Sequence, residues 1–380
     1  VGDWQALFGI NLRCQHLSWY TMEGESKRDY PASIHYQSSW HKEYSYVEDH
    51  FARLNTALTR GKPIVKVGVI HPVESYWLHY GPEEQTSLVR SGLEANFRNI
   101  TQWLLRGSID FDFISESLLP SLCKEASAPL TVGEMEYDAI IVPECETLRS
   151  STLESLEGFK AAGGALIFMG DAPKYENAAP SLRGRELYER SERISFSRAS
   201  LLASLEKFRM IDVRSTSGSP SNSLIHQLRR DENGVWLFLS HCDKPYNKDV
   251  ATCKSYNLRL RGRYVPSLWD TVSGEIRALD FEYRGNDTLI TLSLYDYDSA
   301  LIFFADGEGN QPVAQKADEM RELCYAPEFV SYSLSEPNVL LLDKARYALD
   351  GEDFEETEEI LRLDNKLRAR LGLPLRVGRV

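Results

Sequence analysis

The sequence predicts a multidomain chain in which an α/β domain with a parallel sheet is followed by an antiparallel β-sandwich. Three observations carry this expectation. Strand-like and helix-like segments alternate between residues 64 and 170, and short strands recur at regular spacing after residue 224. A Ser-rich stretch, residues 215–223, separates the two patterns. At 380 residues the chain has room for about two or three domains.

Hydrophobic residues make up 42% and charged residues 26%, the composition of a folded chain. Lys and Arg total 43 against 56 Asp and Glu, a formal net charge of -13. That sign repels a polyphosphate, so nucleic acid is not expected as a partner. Apolar runs such as Ala139–Val142 and Ala165–Met169 fall far short of the ~20 residues that span a bilayer, so no membrane partner is expected. Localisation stays open between cytoplasm and periplasm or exterior. Cys14, Cys123, Cys145, Cys242, Cys253 and Cys324 show no CxxC spacing, which disfavours a zinc knuckle or redox motif. Reduced, mostly buried thiols are expected, with a Cys242–Cys253 disulfide left open.

Residues 1–62 read as a terminal strand, loop and helix. Residues 8–16 alternate like a half-buried strand, and an irregular stretch covers residues 21–39. Tyr44, Val47, Phe51, Leu54 and Leu58 recur at helical spacing, with Gly61 and Pro63 placed to end that helix. The chain opens inside what reads as structure and ends without a stop signal, so a piece of a longer polypeptide is expected; the rival is a processed protein.

Residues 63–214 read as the α/β domain. Strands are expected over residues 64–70, 111–114, 137–142 and 165–170, with helices over residues 83–105 and 151–162. Units of this length imply right-handed crossovers. Residues 175–198 are polar and read as a surface excursion, followed by a short helix and a last strand at residues 211–213. Residues 215–309 read as the antiparallel domain, opened by a hairpin around Asp231-Glu232-Asn233-Gly234. Residues 310–380 begin a further β-domain and include a helical stripe of Ile360, Leu363, Leu367 and Leu371.

The chemistry-bearing residues fall in three places. The first is an N-terminal cluster of His16, Trp19, Tyr20, Arg28, Asp29, Tyr30, Tyr36 and Trp40. Flat aromatic faces suit sugar C–H surfaces, and planar charged groups suit hydroxyls. Residues 16–20 at a strand end also fit a barrel mouth. The same side chains would serve equally as interdomain packing. The second place is His71-Pro72-Val73-Glu74-Ser75, directly after a parallel strand, where open α/β sheets bind ligands. Satisfaction of loop backbone groups is the alternative there. The third is Cys145, flanked by Glu144 and Glu146, whose charges oppose a thiolate. An inert thiol is expected. No GxSxG, GxGxxG or GxxxxGK[ST] pattern occurs, which disfavours Ser-triad, dinucleotide and P-loop readings. Glu23, Glu25 and Asp29 beside the aromatics could act as the paired carboxylates of glycoside hydrolysis, although nothing in the spacing makes two of them face each other.

Several segments together resemble a known architecture. His16-Leu17-Ser18-Trp19-Tyr20, Lys27-Arg28-Asp29-Tyr30-Pro31 and Tyr36-Gln37-Ser38-Ser39-Trp40 resemble the last strand and loop of a (β/α)8 barrel in large multidomain glycoside hydrolases. The alpha-L-rhamnosidase-like group around glycoside hydrolase family 106 is the nearest in type. Residues 69–75 and 138–144 resemble the flavodoxin-like, class I glutamine-amidotransferase-like domain that follows such barrels, as in the trimerisation domain of some beta-galactosidases. Residues 269–276 and 299–304 are similar to the β-domain after it, and residues 334–343 to the approach to a later sugar-binding-like domain. Family 2-like hydrolases share parts of this layout.

The resemblance implies a sugar hydrolase acting on an oligosaccharide or plant glycan through carboxylates, in some members with calcium beside the substrate, and admits a homo-oligomer. Substrate-binding residues carried over are His16, Trp19, Tyr20, Arg28, Asp29, Tyr30, Trp40 and Glu74. The catalytic glutamates of such enzymes lie on earlier barrel strands that this sequence does not contain, so the isolated chain is expected to be inactive. Gly170-Asp171 follows the fourth strand where an amidotransferase needs a nucleophilic Cys, so no glutaminase activity is expected. The competing classes are a non-catalytic carbohydrate-binding or assembly module and, more remotely, a thiol-dependent hydrolase using Cys145.

Overall fold

Two packing problems organise the chain, a parallel sheet that must be covered on both faces and a β-sandwich sheet that carries apolar side chains on both of its own. The computed structural model describes residues 1–16, 18, 34–35, 38–245, 247–309, 331–335 and 342–376. The chain divides into two units, one of Val1–Asn11 with Phe51–Ala314 and one of Leu12–His50 with Gln315–Val380.

In the first unit, five strands form a parallel sheet in the order Glu192–Ile194, Ala165–Met169, Ala139–Val142, Val67–Ile70, Phe111–Ile114. Numbered along the chain this is 2-1-3-4-5, the flavodoxin-like order, with its reversal between the first and third strands. Alternation sorts the side chains. Ile140, Val142, Leu166 and Phe168 face one way, against Leu153, Leu156 and Phe159 of the Ser150–Ala161 helix. Val67, Val69, Ile141, Ile167 and Met169 face the other way, against Ile100 and Leu104 of the Glu83–Leu105 helix. A sheet covered on both faces explains why these strands read as continuous apolar runs.

The antiparallel part is a sandwich. One sheet runs Lys62–Pro63, Leu224–Arg230, Gly234–His241, Ser299–Asp306, Tyr264–Trp269, Ile276–Ala278, and the other Ile211–Ser215, Cys253–Arg261, Asp287–Tyr295, Phe281–Arg284. Val235, Leu237 and Leu239 point into the shared core with Leu258, Leu260 and Ile290. Trp236 and Phe238, one residue out of phase, meet Ala6, Leu7, Leu54 and Leu58 on the sheet's other face. The expected Asn-Gly hairpin is present. Asp231 accepts the amides of Asn233 and Gly234 and the indole N–H of Trp236. Gly61 is required where the chain leaves the Ser45–Leu58 helix: its φ is +53°, and a Cβ would lie 1.9 Å from the Arg230 carbonyl oxygen.

Four expectations need correction. Residues 8–16 do not form the expected strand; a helix, Gly2–Leu7, precedes them, and no strand is assigned over residues 10–16. Alternation alone misled there, because no strand among the described residues pairs with this segment. The polar stretch at 175–198 holds the Arg183–Glu189 helix and the fifth parallel strand, Glu192–Ile194. That helix is anchored by ion pairs, Arg183 to Glu157 and Glu176, together with the fully buried Leu187. Ile211–Ser215 pairs with Cys253–Arg261 and so belongs to the sandwich, not the α/β domain. The strand expected from Tyr137 starts at Ala139, because Met135–Tyr137 pairs back on Leu130–Val132. Cys242 and Cys253 are free thiols.

In the second unit, Ile360–Arg370 forms the expected helix, capped by the Glu359 side chain on the amide of Arg362. Arg368 and Arg376 converge on Asp364 at 2.8 and 2.6 Å.

A small cavity lies between the parallel sheet and the sandwich, lined by Lys66, Ser108, Asp110, Phe208, Met210, His226 and Leu228. Burial, reinforced by the neighbouring Asp112 charge, pushes Asp110 up to about 7. Burial, and then Arg209, pulls His226 down to about 4. The folded chain therefore holds the Asp110 proton more tightly than the unfolded chain, and this group's contribution to stability falls as pH rises from about 4 to about 7. His226 acts oppositely, with stability lost as pH falls below about 6.5 toward 4. Replacing Asp110 with Asn should raise stability relative to the parent by roughly 2–3 kcal/mol more at pH 8 than at pH 5. Urea unfolding at the two pH values checks this, and an unchanged difference would refute the assignment.

Candidate functional site at the switch point

The reversal in strand order leaves a crevice beyond the carboxyl ends of Val67–Ile70 and Ala139–Val142, where neighbouring connections leave on opposite faces. Three segments meet there: residues 71–79 after the first strand, residues 115–118 after the second, and residues 143–149 after the third.

Ser75, fully buried, joins the first to the third. Its Oγ accepts the amides of Glu146 at 2.9 Å and Thr147 at 3.2 Å and donates to the Thr147 carbonyl at 3.4 Å. Glu74, in the first turn of the Val73–Trp77 helix, accepts a hydrogen bond from Arg149 Nε at 2.6 Å and forms an ion pair with Nη2 at 2.5 Å through the same oxygen. The Arg149 amide donates to Glu116 Oε2 at 2.8 Å. Glu116 is almost completely enclosed, and its Oε1 has no hydrogen-bond partner among the described residues. Burial pushes its carboxyl above the usual range, against the Arg149 amide that lowers it.

The other polar groups are engaged. His79 Nε2 lies 2.7 Å from Glu146 Oε1, and Asn96 Nδ2 donates to Glu144 at 3.0 Å. Burial, then the Asp171 charge, raises Glu144. Gly170, with φ of +77°, lets the fourth strand end against the Glu144 side chain, 3.2 Å from where a Cβ would sit. Cys145 is 4% exposed. Burial and then the Glu116, Glu144 and Glu146 charges push its thiol far up, the opposite of what a nucleophile needs. His71 stacks on Phe97 and Phe113 at 5.0 and 5.9 Å, and burial lowers its pKa.

An open cleft of about 430 Å³ is lined by Glu74, Trp77, Leu78, Thr147, Arg149, Asn177 and Ala178. Trp77 is 59% exposed. Its far wall is the Asn177-Ala178 pair, both at positive φ (49° and 61°) and both non-glycine. Hydrogen bonds from the Ala178 amide to Thr147 Oγ1 and between Asn177 and Ser150 hold that conformation.

Of the sequence-predicted residues, Glu74 lies in this cleft. His16 and Trp40 are exposed in the second unit, Trp40 with its ring 6.1 Å from Tyr44. Trp19, Tyr20, Arg28, Asp29 and Tyr30 lie outside the described residues. Sequence reasoning missed Trp77, Arg149 and Glu116. Trp77 stood two residues beyond the quoted His71–Ser75 loop, and a strand-end aromatic was a usable signal. Arg149 and Glu116 gave none, because their meeting depends on strand order. No group of three or more His, Cys, Asp or Glu among the described residues is placed to hold a metal ion, so no step is derived through calcium.

No family model and no curated protein sequence matches the chain. Among solved structures it is similar to a rhamnosidase from Novosphingobium sp. PP1Y, with a TM-score of 0.57 and 15% identity over 83% of this chain and 30% of that one. It also matches the GH42 beta-galactosidase Gan42B of G. stearothermophilus at TM-score 0.49 and 12% identity, over 74% of this chain and 47% of that one. A third match is alpha-L-fucosidase isoenzyme 2 from Paenibacillus thiaminolyticus, at TM-score 0.41 and 12% identity over 70% and 52% of the respective chains. The chain thus spans less than a third of the rhamnosidase and about half of the other two. These neighbours are glycoside hydrolases, and the likeness to the first is one of fold.

Replacing Ser75 with Ala leaves two buried amides without an acceptor. We expect a loss of about 1–3 kcal/mol for each amide in urea unfolding, while Ser75→Thr, which keeps the hydroxyl, should retain most of the stability. Equal losses in both variants would point to packing and not to the hydrogen bonds.

Proposed function

We propose that this chain is a portion of a multidomain glycoside hydrolase of the alpha-L-rhamnosidase-like kind, cleaving O-glycosidic bonds with carboxylates carried on barrel strands outside this sequence. The supporting observation is the fold likeness running through 83% of the chain, across parallel sheet and sandwich together, to a rhamnosidase. In this reading His16, Trp19, Tyr20, Arg28, Asp29, Tyr30 and Trp40 bind substrate from the N-terminal segment. Glu74 contributes from the α/β domain, read as an inactive amidotransferase-like domain with Cys145 as a structural thiol. The substrate is an oligosaccharide or plant glycan.

Calorimetric titration of the chain with rhamnose- and galactose-containing oligosaccharides tests the reading. Saturable binding that weakens roughly tenfold in Trp19→Ala and in Arg28→Ala is expected. Binding unaffected by either substitution removes the N-terminal cluster from the site. No binding by any oligosaccharide favours a purely structural module.

A further inference from the structure

We propose that the cleft between Trp77 and the Asn177-Ala178 wall is a binding subsite for a neutral pyranose, with the indole face as platform and the Glu74–Arg149 pair addressing two adjacent hydroxyls. The proposal rests on the glycan-binding reading above and extends it to a place that reading does not use for recognition beyond Glu74.

Four features converge on this ligand. The volume of about 430 Å³ lies within the roughly 300–1,000 Å³ of small-molecule sites. Trp77 leaves more than half its surface uncovered at the rim, and a flat π face accepts the C–H surface of a sugar ring. Glu74 uses only Oε1 to hold Arg149, and among the described residues its Oε2 and Arg149 Nη1 make no hydrogen bond. One acceptor and one planar donor side by side match the vicinal hydroxyls of a pyranose, each of which both gives and takes a hydrogen bond. The site is also preformed: Ser75 fixes the floor, and Thr147 and Ser150 fix the wall. Little ordering is therefore left for binding to impose.

Charge selects within the sugars. Glu74, Glu116, Glu144 and Glu146 gather on the strand-end loops, outnumbering Arg149 on Glu74 and Lys174 beside Glu144, and the whole chain carries -13. A uronate would meet this field as a like charge, and a cationic ligand would meet Arg149 at the mouth. A neutral ring avoids both.

The test is calorimetry on the full chain with neutral rhamnose- and galactose-containing oligosaccharides and with a uronate-containing oligosaccharide. The same titrations are made on Trp77→Ala, Trp77→Phe, Glu74→Gln, Trp19→Ala and Arg28→Ala, with thermal melting to check that each variant folds. Saturable binding of a neutral saccharide is expected, weakened at least tenfold in Trp77→Ala, several-fold in Glu74→Gln and least in Trp77→Phe, with the uronate weaker than its neutral counterpart. Binding abolished by Trp19→Ala or Arg28→Ala but untouched by Trp77→Ala overturns this subsite and leaves the hydrolase reading in place. The converse supports the subsite and removes the N-terminal cluster. No neutral binding at all, or tighter binding of the uronate, overturns the proposal.

Discussion

One buried hydroxyl holds the strand-end loops of the α/β domain together. Ser75 Oγ takes the amides of Glu146 and Thr147 and returns its proton to the Thr147 carbonyl. Buried amides without acceptors are unfavourable by about 1–3 kcal/mol each, so the loops after the first and third strands are locked to one another. That lock sets Glu74, one residue before Ser75, against Arg149, two residues beyond Thr147. It also sets the short helix that ends in Trp77. The cleft is thus a by-product of strand order: only in a sheet whose first and third strands are neighbours do these two loops meet.

The parallel sheet and the sandwich were largely legible because their information is local. Continuous apolar runs at Val67–Ile70, Ala139–Val142 and Ala165–Met169, the long helix ending at Leu105, and the Asn-Gly turn at 233–234 each declare themselves within a few residues. The fifth strand, Glu192–Ile194, was illegible because a short edge strand needs few apolar side chains. The reading of 8–16 as a strand shows the reverse failure, since alternation says nothing about whether a pairing partner exists. The site was legible only in part for a related reason. Glu74 sits at a strand end that the sequence marks, whereas Arg149 and Glu116 become neighbours only once three distant loops converge.

The sandwich uses its alternation twice. In Gly234–His241 the odd-numbered side chains build the core between the sheets, and Trp236 and Phe238 build a second apolar layer under Leu54 and Leu58. A strand apolar on both faces needs cover on both, and the helical segments of the first unit supply the outer cover. Arg53 adds two hydrogen bonds to the carbonyls of Thr271 and Val272, at 2.8 and 2.7 Å. Packing on that face ties together segments more than 200 residues apart in sequence.

The parallel sheet stops at Phe111–Ile114, and its chemistry gives a reason. Asp112 stands in the middle of that last strand, its carboxylate accepting the Tyr137 hydroxyl at 2.9 Å and already raised by burial. Asp110 lies just before it. Another strand laid along this margin would shut Asp112 further from solvent, a penalty that grows as water is expelled. The margin thereby discourages runaway stacking of one molecule on the next, and it does so with a carboxylate that burial already makes harder to ionise.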